Sequence, residues 1–321
     1  MTWMSWQIDY LLLLQNFREA THGILDPFFL LMSQLGVMPF TAIAICAIYW
    51  GINKRLGLYM IYCNSFSFLM NMLLKFTFCI YRPWLLDSRI QPTQTALLTA
   101  PGYSFPSGHT AGAMSFWGAL GAFYRQKKRV LYSCLFIVFL IMLSRNYLGV
   151  HTSQDVIVSF LVGIFIIFVV EKMFNFIDNK KNADIICLII NLCLCVLIGA
   201  YLILKSYPAD YINGALVYDP TSAKLEAISM IFYVSALFTG GFLERRFINF
   251  DPQKGSIIRK IILVVIGIVL MFSIEFLLNK FCVSILDAQN LKYITRFITG
   301  FFIVFIYPLF IKLTDKICSK N

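Results

Sequence analysis

Nine runs of apolar residues, each close to the length of a helix that crosses a bilayer, recur along this chain at roughly 35–52, 56–81, 107–124, 130–149, 152–173, 184–205, 227–243, 260–279 and 293–312. A backbone placed in hydrocarbon must satisfy its own N–H and C=O groups, so each run reads as a helix. The runs recur too evenly for a soluble protein with a single anchor. Composition agrees: 59% of the residues are hydrophobic and 13% charged, where soluble domains carry about 25% charged residues. The expected fold is all-α, a polytopic transmembrane helical bundle of about nine spans.

Residues 1–34 carry Trp3, Trp6, Tyr10, Leu11 to Leu14 and Phe17, interrupted by Asp9, Gln15, Arg18 and Glu19. That stretch is too short to span and is expected to be an interfacial helix with its aromatics at headgroup level, followed by a turn near His22, Gly23 and Pro27. It lacks the basic start and small-residue cleavage site of a leader, so the first true span is expected to direct insertion. The nine cysteines include no C-x2-C pair and mostly lie inside apolar runs, which marks them as small core residues and not as a disulfide or zinc framework. Glu275 and Arg296, in the eighth run and near the start of the ninth, are expected to form a structural ion pair.

A formal net charge of +11 would suit nucleic acid, but the cations sit between apolar runs, and no nucleic-acid partner is expected. Alternate loops receive Lys54 and Arg55; Arg125, Lys127, Lys128 and Arg129; Lys172, Lys180 and Lys181; Arg245, Arg246, Lys254, Arg259 and Lys260; and Lys312, Lys316 and Lys320. These are seventeen of the 27 Lys and Arg residues. The side that holds them is expected to be cytoplasmic. The same alternation brings the end of the second run, the start of the third, the end of the fourth and the start of the fifth to the opposite, outer face.

Nearly all the reactive side chains fall in that part of the chain, in three clusters: KFTFCIYRP with Lys75, Arg82 and Pro83; FPSGHT with Pro106, Ser107, Gly108 and His109; and SRNYLGVHTSQD with Ser144, Arg145, His151 and Asp155. Their chemistry is that of phosphoryl transfer without a metal. Lys and Arg neutralise non-bridging oxygens, Arg in bidentate fashion. One imidazole can attack phosphorus while another protonates the departing oxygen, and a carboxylate can fix the tautomer of the attacking ring.

The order and spacing K-x6-R-P, P-S-G-H and S-R-x5-H-x3-D resemble the type 2 phosphatidic acid phosphatase (PAP2) superfamily, which also holds vanadium haloperoxidases and glucose-6-phosphatase-like enzymes. All three signatures are intact and span about a quarter of the chain. The resemblance implies a PAP2-like catalytic core over 35–175, after the 1–34 segment and before additional C-terminal transmembrane helices over 176–321. It also implies His151 as the nucleophile that forms a phosphohistidine, Asp155 as its orienting carboxylate and His109 as the acid for the leaving alcohol. Lys75, Arg82, Ser107, Gly108 and Arg145 would bind the phosphate oxygens. No metal or other cofactor is implied.

Three of these residues also have a plainer reading. Lys75, one to two turns inside its helix, suits snorkelling to the interface, and Pro83 is expected to end that helix and aim Arg82. Ser107 fits an N-cap, which is compatible with anion binding at the same helix end. Asp155, four residues after His151, either holds the ring or pairs with Thr152 to cap the helix. The outer loops 84–105 and 206–226 read either as covers that shape access or as simple connections; the second carries Pro208, Tyr211, Gly214, Tyr218 and Pro220.

A site at the outer ends of membrane helices is reached sideways by a lipid headgroup, so the expected activity is hydrolysis of a lipid phosphate or diphosphate in the cell membrane. Transfer of the phosphoryl group to another lipid or sugar uses the same motifs. A haloperoxidase would use the same oxyanion site, and a non-catalytic transporter or scaffold would not need both histidines.

Overall fold

The computed structural model describes residues 4–208, 210–212, 215–216, 218–282 and 285–318. Trp3, Gly214 and Lys320, named above, lie outside them. Among the described residues, seven helices are long and apolar enough to cross a membrane. They account for seven of the nine expected spans. The other two form as shorter helices: Met38–Gly51, of 14 residues, and a continuous helix over 108–123 with a π-turn at Met114–Gly118. At about 1.5 Å per residue neither matches a hydrocarbon core of about 30 Å. The only strand pairing among the described residues is a two-residue ladder, Tyr211–Ile212 with Ala215–Leu216. The fold is thus an all-α polytopic bundle.

By contacts the chain forms two units interleaved along the sequence. The first comprises Met1–Thr41, Ser67–Phe168 and Ser206–Ala223. Its centre is the 108–123 helix, whose small residues allow close backbone approach: a Cβ on Gly112 would lie 2.2 Å from the carbonyl oxygen of Gly36, and one on Gly163 would lie 2.5 Å from the Cβ of Met114. Met114, Val138 and Ile141 are buried together beside it.

The first 34 residues also belong to this unit, as two helices, Ser5–Ala20 and Asp26–Gln34, separated by the left-handed residues His22 and Gly23. Of the polar residues that interrupt the apolar run, Gln15 and Arg18 point inward, while Asp9 and Glu19 are exposed. Gln15 exchanges hydrogen bonds with the Arg89 carbonyl and the Gln91 N–H, and Arg18 donates to the carbonyls of Gln91 at 2.6 Å and Tyr147 at 3.4 Å. Trp6, Leu13 and Phe17 are the exposed large apolar side chains of the first of these helices. Buried backbone carbonyls and N–H groups need partners, and here these side chains supply them for the loop.

The second unit comprises Ala42–Phe66, Val169–Lys205 and Lys224–Asn321. Trp50 and Tyr307 are buried in it, with the Trp50 indole donating to the Ile303 carbonyl at 2.9 Å. Three of the cation-bearing loops assigned to one side of the membrane are joined in this unit, through Lys54–Glu244 (2.8 Å), Arg55–Asp178 (2.6 Å) and Arg246–Asp184 (2.7 Å). Arg296 pairs with Glu275 at 3.3 Å as expected, and Glu226, which also binds Lys292, lies 3.6 Å from it. The eight cysteines whose side chains are described are free.

Candidate active site

Lys75 lies on the Lys54–Phe78 helix, one turn before its end. It does not snorkel. Its Nζ donates to the carbonyls of Tyr103 at 2.7 Å and Pro106 at 3.3 Å, and Asn71, one turn earlier on the same face, also donates to Pro106 at 3.3 Å. The loop before His109 is therefore tied to this helix. Pro83 does not end the helix: Cys79, in the left-handed region, follows the last helical residue. Pro83 instead opens the short helix Pro83–Leu86 with Arg82 as its N-cap in extended backbone. Proline suits that first position because its missing N–H would have had no intrahelical partner, and it holds the preceding residue extended.

From there Arg82 reaches four groups. Nε donates to the Gly102 carbonyl at 2.9 Å, one terminal nitrogen to Pro101 at 2.8 Å, and the other to Val150 and to His151 Nε2, each at 3.0 Å. Asp155 Oδ2 lies 3.2 Å from His151 Nδ1 and accepts from Ser104 Oγ at 2.5 Å and the Thr152 N–H at 2.8 Å. Both contacts of the ring select one tautomer: Nδ1 donates to the carboxylate, and Nε2 offers its lone pair to Arg82. Thr152 Oγ1 accepts from the Asp155 N–H at 3.4 Å, so Asp155 caps its helix and holds the ring at once. His151 is 1% exposed. Its burial, with Arg82, Arg145 and Lys75 nearby, holds its pKa well below the ordinary imidazole value.

Ser107 caps the 108–123 helix, its Oγ accepting from the N–H of Thr110 at 3.4 Å and from the Thr110 hydroxyl at 3.2 Å. Its own N–H donates to the Asp155 carbonyl at 3.0 Å, and Ser159 Oγ donates to its carbonyl at 2.6 Å. These bonds dock the turn on the Ser153–Asn179 helix. A Cβ added to Gly108 would meet nothing nearer than Asn71 Oδ1 at 4.0 Å, so this helix start borders open space. Arg145, fully buried, donates to Ser33 Oγ at 2.6 Å, while its Nε, its other terminal nitrogen and His109 Nε2 are buried without a hydrogen-bond partner.

All eight residues singled out from the sequence thus belong to one unit, which gathers three cations, one carboxylate and two imidazoles. Comparison with known proteins agrees with the motifs. Residues 56–179 match the PAP2 superfamily model, and residues 229–316 match a second model, the PAP2 superfamily phosphatase transmembrane extension. The chain belongs to the PAP2 superfamily.

The first PAP2 match contains every one of the eight residues, and the second lies in the C-terminal helices. Lipid phosphate phosphatase delta of Arabidopsis thaliana is 26% identical over 187 residues, 54% of this chain and 45% of the relative. Phosphatidylglycerophosphatase B of Bacillus subtilis is 30% identical over 100 residues, 29% of this chain and 48% of the relative. The chain spans about half the length of the curated relatives it matches. No solved structure matches it at the same level of significance.

Four residues around this PAP2 site escaped the sequence reading. Ser104 hydrogen-bonds Asp155, Asn71 braces the loop that precedes His109, Ser33 holds Arg145, and Tyr103, whose carbonyl accepts from Lys75, sets its ring 4.6 Å from that of Tyr218. Asn71 had a signal, being a polar residue four before Lys75 in an apolar helix. Ser33 lies far from the clusters in sequence, and nothing local marks it. Both loops contribute: 84–105 supplies three of the carbonyls that hold Arg82 and Lys75, and Tyr218, from 206–226, places its ring against Gly102.

Proposed function

We propose that this chain is an integral-membrane phosphatase that hydrolyses a lipid phosphate or lipid diphosphate through a phosphohistidine on His151. The observation that carries the reading is the convergence of Lys75, Arg82 and Arg145 on a His–Asp pair, with Arg145 and His109 nitrogens buried and unpartnered. Three cations against one carboxylate leave a charge that a phosphate dianion balances. The family membership supports phosphatase chemistry, and two relatives bear the names of lipid phosphatases.

His151 Nε2 attacks phosphorus along the lone pair that the Asp155 contact exposes. Arg82, which now donates to that lone pair, moves its N–H to a phosphoryl oxygen as the substrate enters. The bond to the leaving alkoxide breaks, and His109 supplies its proton. Arg145, Lys75, the Gly108 backbone and the Ser107 hydroxyl carry the equatorial charge of the transition state. Water then attacks the phosphohistidine, gives a proton to His109 and releases inorganic phosphate, restoring His151.

In this reading the side-chain cations occupy the role of a metal ion, and the site opens to the outer face of the cell membrane. The test is release of free phosphate from detergent-solubilised phosphatidate by the purified full chain in excess chelator. Activity that persists with chelator and is inhibited by vanadate supports the reading. Strict dependence on an added divalent metal, or transfer to an added alcohol without phosphate release, overturns it.

A further inference from the structure

We propose that the second unit holds a lipid-binding site, separate from the catalytic groups, for a lipid whose headgroup presents a primary ammonium. A cavity of about 340 Å³ lies among residues of the 54–78, 153–179, 183–204 and 220–248 segments, with Glu244 in its lining. Glu244 is fully buried. Its Oε1 accepts from Lys54 Nζ at 2.8 Å and from the Phe250 N–H at 2.9 Å, whereas Oε2 is buried without a hydrogen-bond partner.

A buried carboxylate oxygen with no donor is costly. The neighbouring cations are already engaged: Arg246 with Asp184 at 2.7 Å, and Arg55 and Arg245 with Asp178 at 2.6 Å and 3.5 Å. The group that completes Glu244 is therefore a donor from outside the chain. An ammonium brings three N–H donors, and the cavity wall includes the rings of Phe174, which already carries the Arg55 guanidinium 5.4 Å from its centroid, and Phe238, which is stacked on Tyr62.

The backbone at this point is also unusual. Glu244 begins a π-turn, Glu244–Ile248, closed by the left-handed Asn249, whose N–H donates to the Glu244 carbonyl at 2.7 Å. Such turns recur at functional sites. Lys54 already donates to Glu244, Asn249 and Phe250, whereas the half-exposed Arg245 at the same cavity engages Ile177 and Asp178 through one terminal nitrogen, and its other N–H groups can take the phosphate of a zwitterionic headgroup. Leu58, Met173 and Leu188 offer an apolar wall for the first part of an acyl chain. The volume falls in the range of about 300–1,000 Å³ usual for small-ligand sites.

Cys187, half-buried in the cavity lining, provides the readout. The full chain in detergent is titrated with phosphatidylethanolamine, phosphatidylglycerol or soluble O-phosphoethanolamine, and alkylation of Cys187 by N-ethylmaleimide is followed by peptide mass spectrometry. Phosphatidylethanolamine should protect Cys187 without protecting Cys282, and the other two probes should not protect it. Glu244→Gln should raise the half-protecting concentration by about tenfold or more, the loss expected for one charge-assisted hydrogen bond. Equal protection by phosphatidylglycerol, or by O-phosphoethanolamine at the same concentration, overturns the proposal. So does unaltered protection in Glu244→Gln. Should that variant fail to fold, the comparison of the three probes on the native chain still decides, and none of these readouts depends on phosphatase activity.

Discussion

His151 sits between a carboxylate and a guanidinium, and its behaviour with pH follows from both. The lowered pKa means that the folded ring stays neutral where an unfolded one, near 6.5, takes up a proton. Stability is therefore undiminished above about pH 6.5 and falls as the pH drops from there towards the folded value, because the unfolded chain then binds the extra proton. The acid limb of kcat/KM, which reports the free enzyme, is expected with its midpoint below about 6.5; a midpoint at or above that value contradicts the assignment of His151 as a neutral nucleophile. His109→Ala is expected to slow turnover of an alkyl phosphate by about 10²-fold or more, but an aryl phosphate far less, since a good leaving group needs little protonation. Equal losses for both would remove His109 from the acid role. At this scale the reactive groups were legible because phosphoryl transfer restricts the residue types and their order. Ser104 and Ser33 were not, because a hydroxyl that braces a catalytic group carries no chemistry that a sequence pattern can reveal.

The helices show where spacing speaks and where packing overrides it. Apolar length located the seven long helices, whereas Met38–Gly51 and the 108–123 helix were read as full spans although they are shorter. In the second, Gly36 and Gly112 pass so closely that a Cβ on residue 112 would lie 2.2 Å from a backbone oxygen. Gly112→Ala should accordingly lower stability by about 1–3 kcal/mol, the range for overpacking a tight interface, with activity lost in step because His109 is on the same helix. A melting temperature equal to that of the parent would show that the approach is not rigid. The N-terminal helices were harder to read. Gln7, Gln15 and Arg18 look like breaks in an apolar run, yet they turn inward to satisfy the backbone of a loop and the next helix start. That inversion depends on loop carbonyls and N–H groups far along the chain, which periodicity does not register. The 206–226 loop belongs here too. Tyr218→Ala removes a ring packed on Gly102, one of the carbonyl partners of Arg82, and is expected to raise KM for the lipid more than it lowers kcat. An unchanged KM would reduce the loop to a connection.

For the whole molecule, the proposed orientation, which rests on alternation of spans and the count of cations, has the catalytic clusters on the outer face of the membrane and loops such as 125–129 on the cytoplasmic side. Single-cysteine variants in intact cells test this: a membrane-impermeant thiol reagent should label a cysteine in the 206–226 loop and reach one in 125–129 only after permeabilisation. The reverse pattern would overturn the orientation and leave the catalytic grouping untouched. The bundle and its catalytic grouping were legible because a bilayer admits few solutions for an apolar chain. The division into two interleaved units was not, since long helices contribute to both. The central claim is that the grouped residues make a phosphatase that works through His151, and the direct measurement is phosphate release by the full chain and its His151→Ala variant from phosphatidate in reconstituted vesicles, with acid-labile phosphoenzyme trapped in parallel. The parent should release phosphate in the presence of chelator and carry label on His151. The folded variant should lose roughly 10³-fold or more of the rate, as when a nucleophile is removed, and carry no label. A His151→Ala protein that turns over at a near-parental rate would contradict the account.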